Sequence, residues 1–257
     1  MYIQGNGTII DEQKAFGWTK KSAEQGVAEA QFNLGNMYYD GEGTSIDKQK
    51  AFEWMKKSAE QGNENAQGDL ALMYLNGDGT SIDNQKAFEW TKRGAEQDNA
   101  LAQFNLGRMY MQGIGTSIDK EKSFEWYKKS AVQGYAKAQH ELGVMYYKGD
   151  GTRLDKDIAF LWIKMSAKQG FAEAQFILGN MYYDGEGTSI DKRNAFVWMK
   201  MSAEQGFAEA QFNLGLMYLE GIGTTIDKEI AIEWFEKSAE NGNQEAKDSL
   251  NKINPSY

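Results

Sequence analysis

Cysteine is absent from the chain, proline occurs once, at Pro255, and histidine once, at His140. The lack of cysteine excludes a disulfide framework and fits a reducing compartment. Positive charge is scarce too: 28 Lys and Arg stand against 37 Asp and Glu, a net charge of −9. That balance lacks the basic footprint of a nucleic-acid binder and gives no attraction to an anionic membrane surface. No stretch approaches the roughly 18 apolar residues a spanning helix needs, so membrane insertion is not expected. Met1 is followed by repeat sequence and not by a secretory leader. A cytoplasmic location is the expectation, with a periplasmic or secreted one if a leader has been removed.

What the chain does have is repetition. Gly-x-Gly-Thr recurs at Gly5, Gly41, Gly77, Gly113, Gly149, Gly185 and Gly221, always 36 residues apart. All seven tryptophans keep the same phase, at 18, 54, 90, 126, 162, 198 and 234. So do the aspartates at 11, 47, 83, 119, 155, 191 and 227. A fixed period in this range marks a solenoid.

One unit reads as a helical hairpin. Ala30, Leu34 and Tyr38 stack at i, i+4 and i+8, which predicts a helix A near 28–39. Ala28, Ala30 and Gly35 are small and let a neighbouring helix approach. Gly41 and Gly43 stop the helix. Asp47 is a natural N-cap for a helix B near 47–61, and Ile46 before it is placed as a hydrophobic staple. Ala51, Phe52, Trp54, Met55, Ser58 and Ala59 form a wide apolar face, and Gly62 ends the helix. The strict phase of the tryptophans on that face predicts that they pack in the core. A hairpin cannot bury its own apolar face, so successive hairpins must stack.

The pattern Ala-x-Ala-x-x-x-Leu-Gly-x-x-Tyr, the Gly-x-Gly loop, the capping Asp, and Ala-x-x-Trp followed by Ala-Glu-Gln-Gly resembles the Sel-one-like repeat family, relatives of the tetratricopeptide repeat. The resemblance covers nearly the whole chain. It implies an all-α, right-handed superhelical solenoid (an alpha-alpha superhelix) and an adaptor or scaffold that binds other proteins. Some members are cysteine-rich and secreted, with a disulfide in each repeat; this chain departs from that subfamily.

The expected organisation is one solenoid domain over 1–257. Met1 to Gln4 align with the last turn of a helix A. An orphan helix B spans 11–25, six A–B hairpins span 27–242, and a capping helix A spans 243–253. The last helix turns Lys247, Asp248, Ser249, Asn251 and Lys252 outward, as a solenoid end requires. The N-terminal end has no such polar cap, which points to an upstream extension or to self-association there.

Candidate chemistry is sparse. The Asp40 to Asp47 loop gathers three carboxylates, yet Ile114 and Ile222 replace the central acid elsewhere and no bidentate Glu follows at a calcium-loop spacing. The Gly-x-Gly-Thr run lacks the lysine of a phosphate loop, and Asp47 occupies the helix N-terminus. Nothing places a base beside a nucleophilic hydroxyl. No metal, cofactor or catalytic residue is expected; the alternatives to a binding scaffold are a hydrolase-like enzyme or a purely structural spacer.

The informative positions are those that vary while the frame stays fixed. At 100° per residue, helix A positions 32, 36 and 39 point away from Leu34. They carry Phe32, Asn36 and Tyr39; Gly68, Leu72 and Leu75; Phe104, Arg108 and Met111; His140, Val144 and Tyr147; Phe176, Asn180 and Tyr183; Phe212, Leu216 and Leu219. In related solenoids helix A lines the concave side, so this set is expected to form a groove for a protein or peptide partner, with Asp40, Asp184 and Glu220 on its rim. Its aromatics would then add affinity and little stability. The alternative is that Phe32 and its equivalents wedge between successive helices A. On the outer side of helix B, Glu53 with Lys57, Glu89 with Arg93, Glu125 with Lys129 and Glu233 with Lys237 have the spacing of helical ion pairs. Two repeats abandon it for Leu161 with Met165 and Val197 with Met201. Together with Ile158 these residues are expected to form a convex apolar patch, for self-association or a second partner.

Overall fold

The computed structural model describes residues 11–253. The expected helix turn at 1–4, the first glycine loop at Gly5 and the tail with Pro255 lie outside these residues. Among the described residues there are fourteen α-helices and no strand. They are α1 (Glu12–Glu24), α2 (Ala28–Asp40), α3 (Lys48–Glu60), α4 (Glu64–Asn76), α5 (Asn84–Glu96), α6 (Ala100–Gln112), α7 (Lys120–Val132), α8 (Ala136–Lys148), α9 (Lys156–Lys168), α10 (Ala172–Asp184), α11 (Lys192–Glu204), α12 (Ala208–Glu220), α13 (Lys228–Glu240) and α14 (Gln244–Ile253). From α2 onward the even-numbered helices are A and the odd-numbered ones B. The chain forms two compact units, Met1–Trp126 and Tyr127–Tyr257, divided within α7. In each unit a helix packs against the ones before and after it, which is the arrangement of an α solenoid.

The repeat explains why the helices begin and end where they do. Gly41 takes a left-handed φ of 81° and its N–H donates to the Met37 carbonyl, closing helix A. The loop is then tied back by the Asp47 N–H, which donates to the Tyr38 carbonyl at 2.8 Å. The second glycine does a different job. A Cβ on Gly43 would collide with the carbonyl of Glu12, at the start of the preceding helix B. So the Gly-x-Gly pair combines a helix stop with a point where backbones of consecutive repeats touch. Each capping aspartate accepts the backbone N–H of the residue three positions on, at 2.9–3.0 Å. Lys50, through its ammonium and then its backbone N–H, holds the Asp47 carboxyl below the usual carboxylate range. Ile46 is not a staple: it stays 65% exposed and lies over Gly41, whose hypothetical Cβ would be 2.9 Å from the Ile46 Cγ1.

Of the expected apolar face of helix B, the residue after the tryptophan is buried and the tryptophan itself is largely not. Met55, Ile163, Met199 and Phe235 are 3% exposed or less, whereas Trp18 is 60% exposed and Trp54, Trp126, Trp162, Trp198 and Trp234 are half-buried. Only Trp90 follows the core expectation, at 8% exposure. The reason is angular. Helix B centres its buried face on Ala51, Met55, Ser58 and Ala59, and Trp54 projects to one side of it. Its outer ring face is covered by a cation instead: Lys57 stands 4.0 Å from the Trp54 centroid, Arg93 4.4 Å from Trp90 and Lys237 4.3 Å from Trp234. Three of the cations expected to pair with a glutamate four residues earlier, Lys57, Arg93 and Lys237, are therefore engaged on tryptophans.

Small residues do let the helices close. A Cβ on Gly35 would sit 3.2 Å from Met55 Cε, and one on Gly215 would overlap Phe235. Edge-on ring pairs such as Phe52 with Tyr74 and Phe196 with Tyr218, at 5.2 and 5.3 Å, join each helix B to the next helix A. A buried glutamine completes the repeat. Gln31 donates to the Ala23 carbonyl at 3.2 Å and accepts from Gln61 at 2.6 Å, so the C-terminal ends of successive helices B are hydrogen-bonded through helix A.

Candidate partner-binding faces

The variable helix A positions form a face on each unit. On the first unit it is built by α2, α4 and α6. Leu72 and Arg108 are exposed, and Phe32, Asn36, Tyr39, Leu75, Phe104 and Met111 are half-buried. On the second unit it is built by α8, α10 and α12, where His140, Val144, Tyr147, Phe176, Asn180, Tyr183, Phe212, Leu216 and Leu219 are all half-buried. Asp40, Asp184 and Glu220 are exposed at the ends of their helices.

The phenylalanines are more deeply involved in packing than free groove residues would be. Phe176 lies 5.2 Å from Phe207, the residue that opens the next helix A, and Phe212 lies 5.6 Å from the core ring of Phe235. Phe32 packs on the core of the first unit. His140 is placed the same way, its ring edge-on to Phe171 at 5.1 Å and its side chain only 14% exposed. Its Nδ1 is 3.5 Å from Glu141 but makes no hydrogen bond. These residues wedge between elements, so truncating them costs stability as well as contact area.

Two tyrosines of the face are held by charge. The Tyr39 hydroxyl donates to Asp78 at 3.0 Å, and Lys48 pairs with the same carboxylate at 2.5 Å. Tyr147, Glu186 and Lys156 repeat the arrangement, the hydroxyl donating to Glu186 and the lysine bridging it at 2.6 Å. Lys48 and then Tyr39 hold the Asp78 carboxyl below the usual range; Lys156 and then Tyr147 do so for Glu186, and Glu186 raises Tyr147. Where the loop carries isoleucine, the latch is replaced by apolar packing. Ile114 shares a cluster with Leu75, and Ile222 one with Tyr183, whose ring is covered by Lys192. The central loop acids Asp78 and Glu186 thus serve as latches between consecutive repeats.

The first unit holds a cavity of about 240 Å³ lined by Phe32, Gly68, Leu72, Leu75 and Arg108 from the expected set. Trp90, Thr91, Gly94 and Asp69 also line it and were not singled out by the sequence. A second hollow adjoins it, sharing Asp69 and Leu72 and reaching Asn36, Tyr39 and Asp78. Of the residues expected to form an apolar patch, Leu161 is 58%, Met165 51%, Val197 45% and Met201 41% exposed, and Ile158 is half-buried.

A model of the Sel1 repeat matches residues 1–27, 28–63, 65–99, 100–135, 136–171, 172–207 and 208–243. Among solved structures, a protective antigen present in uropathogenic Escherichia coli strains, which displays an SLR fold, is 37% identical with a TM-score of 0.92. The match covers 98% of this chain and 54% of that one, so the chain spans about half the length of this relative. A Sel1 repeat protein from Oxalobacter formigenes is 33% identical with a TM-score of 0.85, covering 98% of this chain and 73% of that one. A comparison with curated proteins found no match.

Proposed function

This chain belongs to the Sel1 repeat family, and from that premise we propose that it is a protein-interaction scaffold whose helix A faces receive segments of partner proteins. Sel1 repeat proteins are generally interaction scaffolds without enzymatic activity. The observation that carries the reading is the first unit's face. Apolar and aromatic walls, a few polar points and adjoining hollows gather at positions that vary between repeats while the frame around them is constant. Recognition sites of this kind use apolar anchors in pockets with a small number of polar groups for specificity.

Leu72 and Arg108 are the residues to test, since both are exposed and neither supports a neighbouring helix as the phenylalanines do. Affinity capture from the native organism is to be run with the wild type and with Leu72→Asp, Arg108→Glu. A partner should be lost by at least tenfold in binding, with Tm within a degree or two of the wild type. A partner retained at full strength removes the first unit's face from consideration. We further propose that the exposed residues on α9 and α11 are a second contact surface, supported by their exposure and by the loss there of the usual surface charge.

A further inference from the structure

One repeat, 64–99, departs from the others at several positions, and the departures converge. Gly68 replaces the phenylalanine or histidine that five of the six other helices A carry there, the terminal α14 having Asp248. Thr91, like Thr19 of the terminal α1, replaces the larger Met55, Tyr127, Ile163, Met199 or Phe235 of the other helices B, with Ala71 instead of glycine at the helix A position recovering one methyl of that loss. Gly94 replaces a serine that elsewhere donates to a helix A carbonyl, as Ser58 does to Ala28 at 2.7 Å. All three line the 240 Å³ cavity. A Cβ built on Gly68 meets nothing within 4 Å.

Two polar signs accompany the void. The amide oxygen of the buried Gln67 has no hydrogen-bond partner, whereas its counterparts accept from the glutamine or asparagine that ends the following helix B. Asp69 is a half-buried carboxylate on the wall, with no ion pair among the described residues; burial raises its pKa. Side-chain volume given up in a packed repeat and a half-buried acid without a counter-charge both cost the fold something. Their coincidence in one repeat is the mark of a site shaped for a ligand.

We propose that the Gly68 cavity is a specificity pocket for a phenylalanine-sized side chain of a partner segment, with an adjoining lysine or arginine of that segment paired to Asp69. This inference rests on the scaffold reading and names the chemistry its first face selects. The occupant follows from what is missing. The removed group is a phenyl ring, the walls include Phe32 and Trp90, and an apolar cavity of about 150 Å³ already admits a benzene-sized ring. The charge follows from Asp69 and from the net charge of −9. Arg108 is exposed and lines the same pocket, where a guanidinium can stack on an entering ring.

Restoring the consensus supplies the test. Gly68→Phe fills the pocket from within and has room to fold, so its Tm should be at or above that of the wild type. The probes are capped pentapeptides carrying phenylalanine next to arginine, in both orders. Controls carry alanine for the phenylalanine or glutamate for the arginine. Titrated into ¹⁵N-labelled protein, the phenylalanine–arginine peptides should shift the amides of Gly68, Asp69 and Gly94. Affinity should fall at least tenfold for Gly68→Phe and for the alanine control. Asp69→Asn should weaken the arginine peptides several-fold and leave the glutamate peptide no weaker than before. Unmoved amides at 68, 69 and 94, or equal binding by Gly68→Phe, overturns the pocket. A partner captured by the wild type, lost by Leu72→Asp, Arg108→Glu and kept by Gly68→Phe also overturns it, yet leaves the scaffold reading standing.

Discussion

Met55 and Trp54 are neighbours in the chain with different loads. Met55 is 2% exposed and fills the notch opposite Gly35, while half of Trp54 rests on helix and the other half under Lys57. Met55→Ala should cost about 2–5 kcal/mol, the range for a large-to-small change in a packed core. Trp54→Ala should cost less, about 1–3 kcal/mol, because its ring is only partly removed from water and a cation–π contact contributes roughly 0.5–1 kcal/mol. Urea unfolding of the two variants checks the order; a costlier Trp54→Ala would return the tryptophans to the core. The tryptophan phase was plain in the sequence, but its role was not. Position 55 varies among Met, Thr, Tyr, Ile and Phe, which reads as tolerance until its partner is known. Ala71 stands at the position of Gly35 and Thr91 at that of Met55, so the larger helix A residue recovers part of the volume that helix B gives up. Gln31 and its equivalents were legible as invariant within the repeats, yet a glutamine on an amphipathic helix reads as surface until its carbonyl partner is seen.

Helix boundaries were legible to within a residue or two, since glycine stops and aspartate starts act locally and the 36-residue period presents them seven times. Stability along the elements is a different matter, because it depends on neighbours. In the first unit α3 packs against both α2 and α4, whereas α1 packs against α2. Trp18 at the corresponding position is 60% exposed, against half-buried for Trp54. In a linear array each element draws its stability from its intrinsic preference and its nearest neighbours. Amides of α1 should therefore exchange with solvent faster than those of α3, by a factor of ten or more at the buried positions Ala15 and Ala23 relative to Ala51 and Ala59. Equal protection would show that another surface, such as a second copy of the chain, covers α1 in solution.

On the scale of the whole molecule, regularity gives the fold and irregularity gives the surfaces that can recognise something. The Gly68 position was visible in the sequence as one variant in a column, but its meaning depended on Thr91, Gly94 and Asp69 converging on one void, which a column cannot show. The outer surface of the second unit presents the opposite case, an irregularity readable from the sequence whose exposures are as expected. In most repeats the residue three after the tryptophan is a cation that covers the ring. On α9 and α11 that position is Met165 and Met201, and the residue before each tryptophan is Leu161 and Val197. Trp198 packs on the cluster of Phe160 and Ile163, which brings the two helices B into one neighbourhood. The result is a set of four apolar side chains, each 41–58% exposed, where other repeats place Glu and Lys. Exposed apolar groups in proximity favour a contact that removes them from water, and methionine adapts its shape to what it meets. Leu161→Glu, Met165→Lys, Val197→Glu and Met201→Lys together rebuild the usual surface at sites that support no neighbouring helix. The helical circular dichroism should be unchanged. Light scattering should show loss of any dimer, or capture should lose one partner while the Leu72 and Arg108 variant loses another. If oligomeric state and partner set are both unaltered, these four residues are drift at tolerant positions and the second surface is withdrawn.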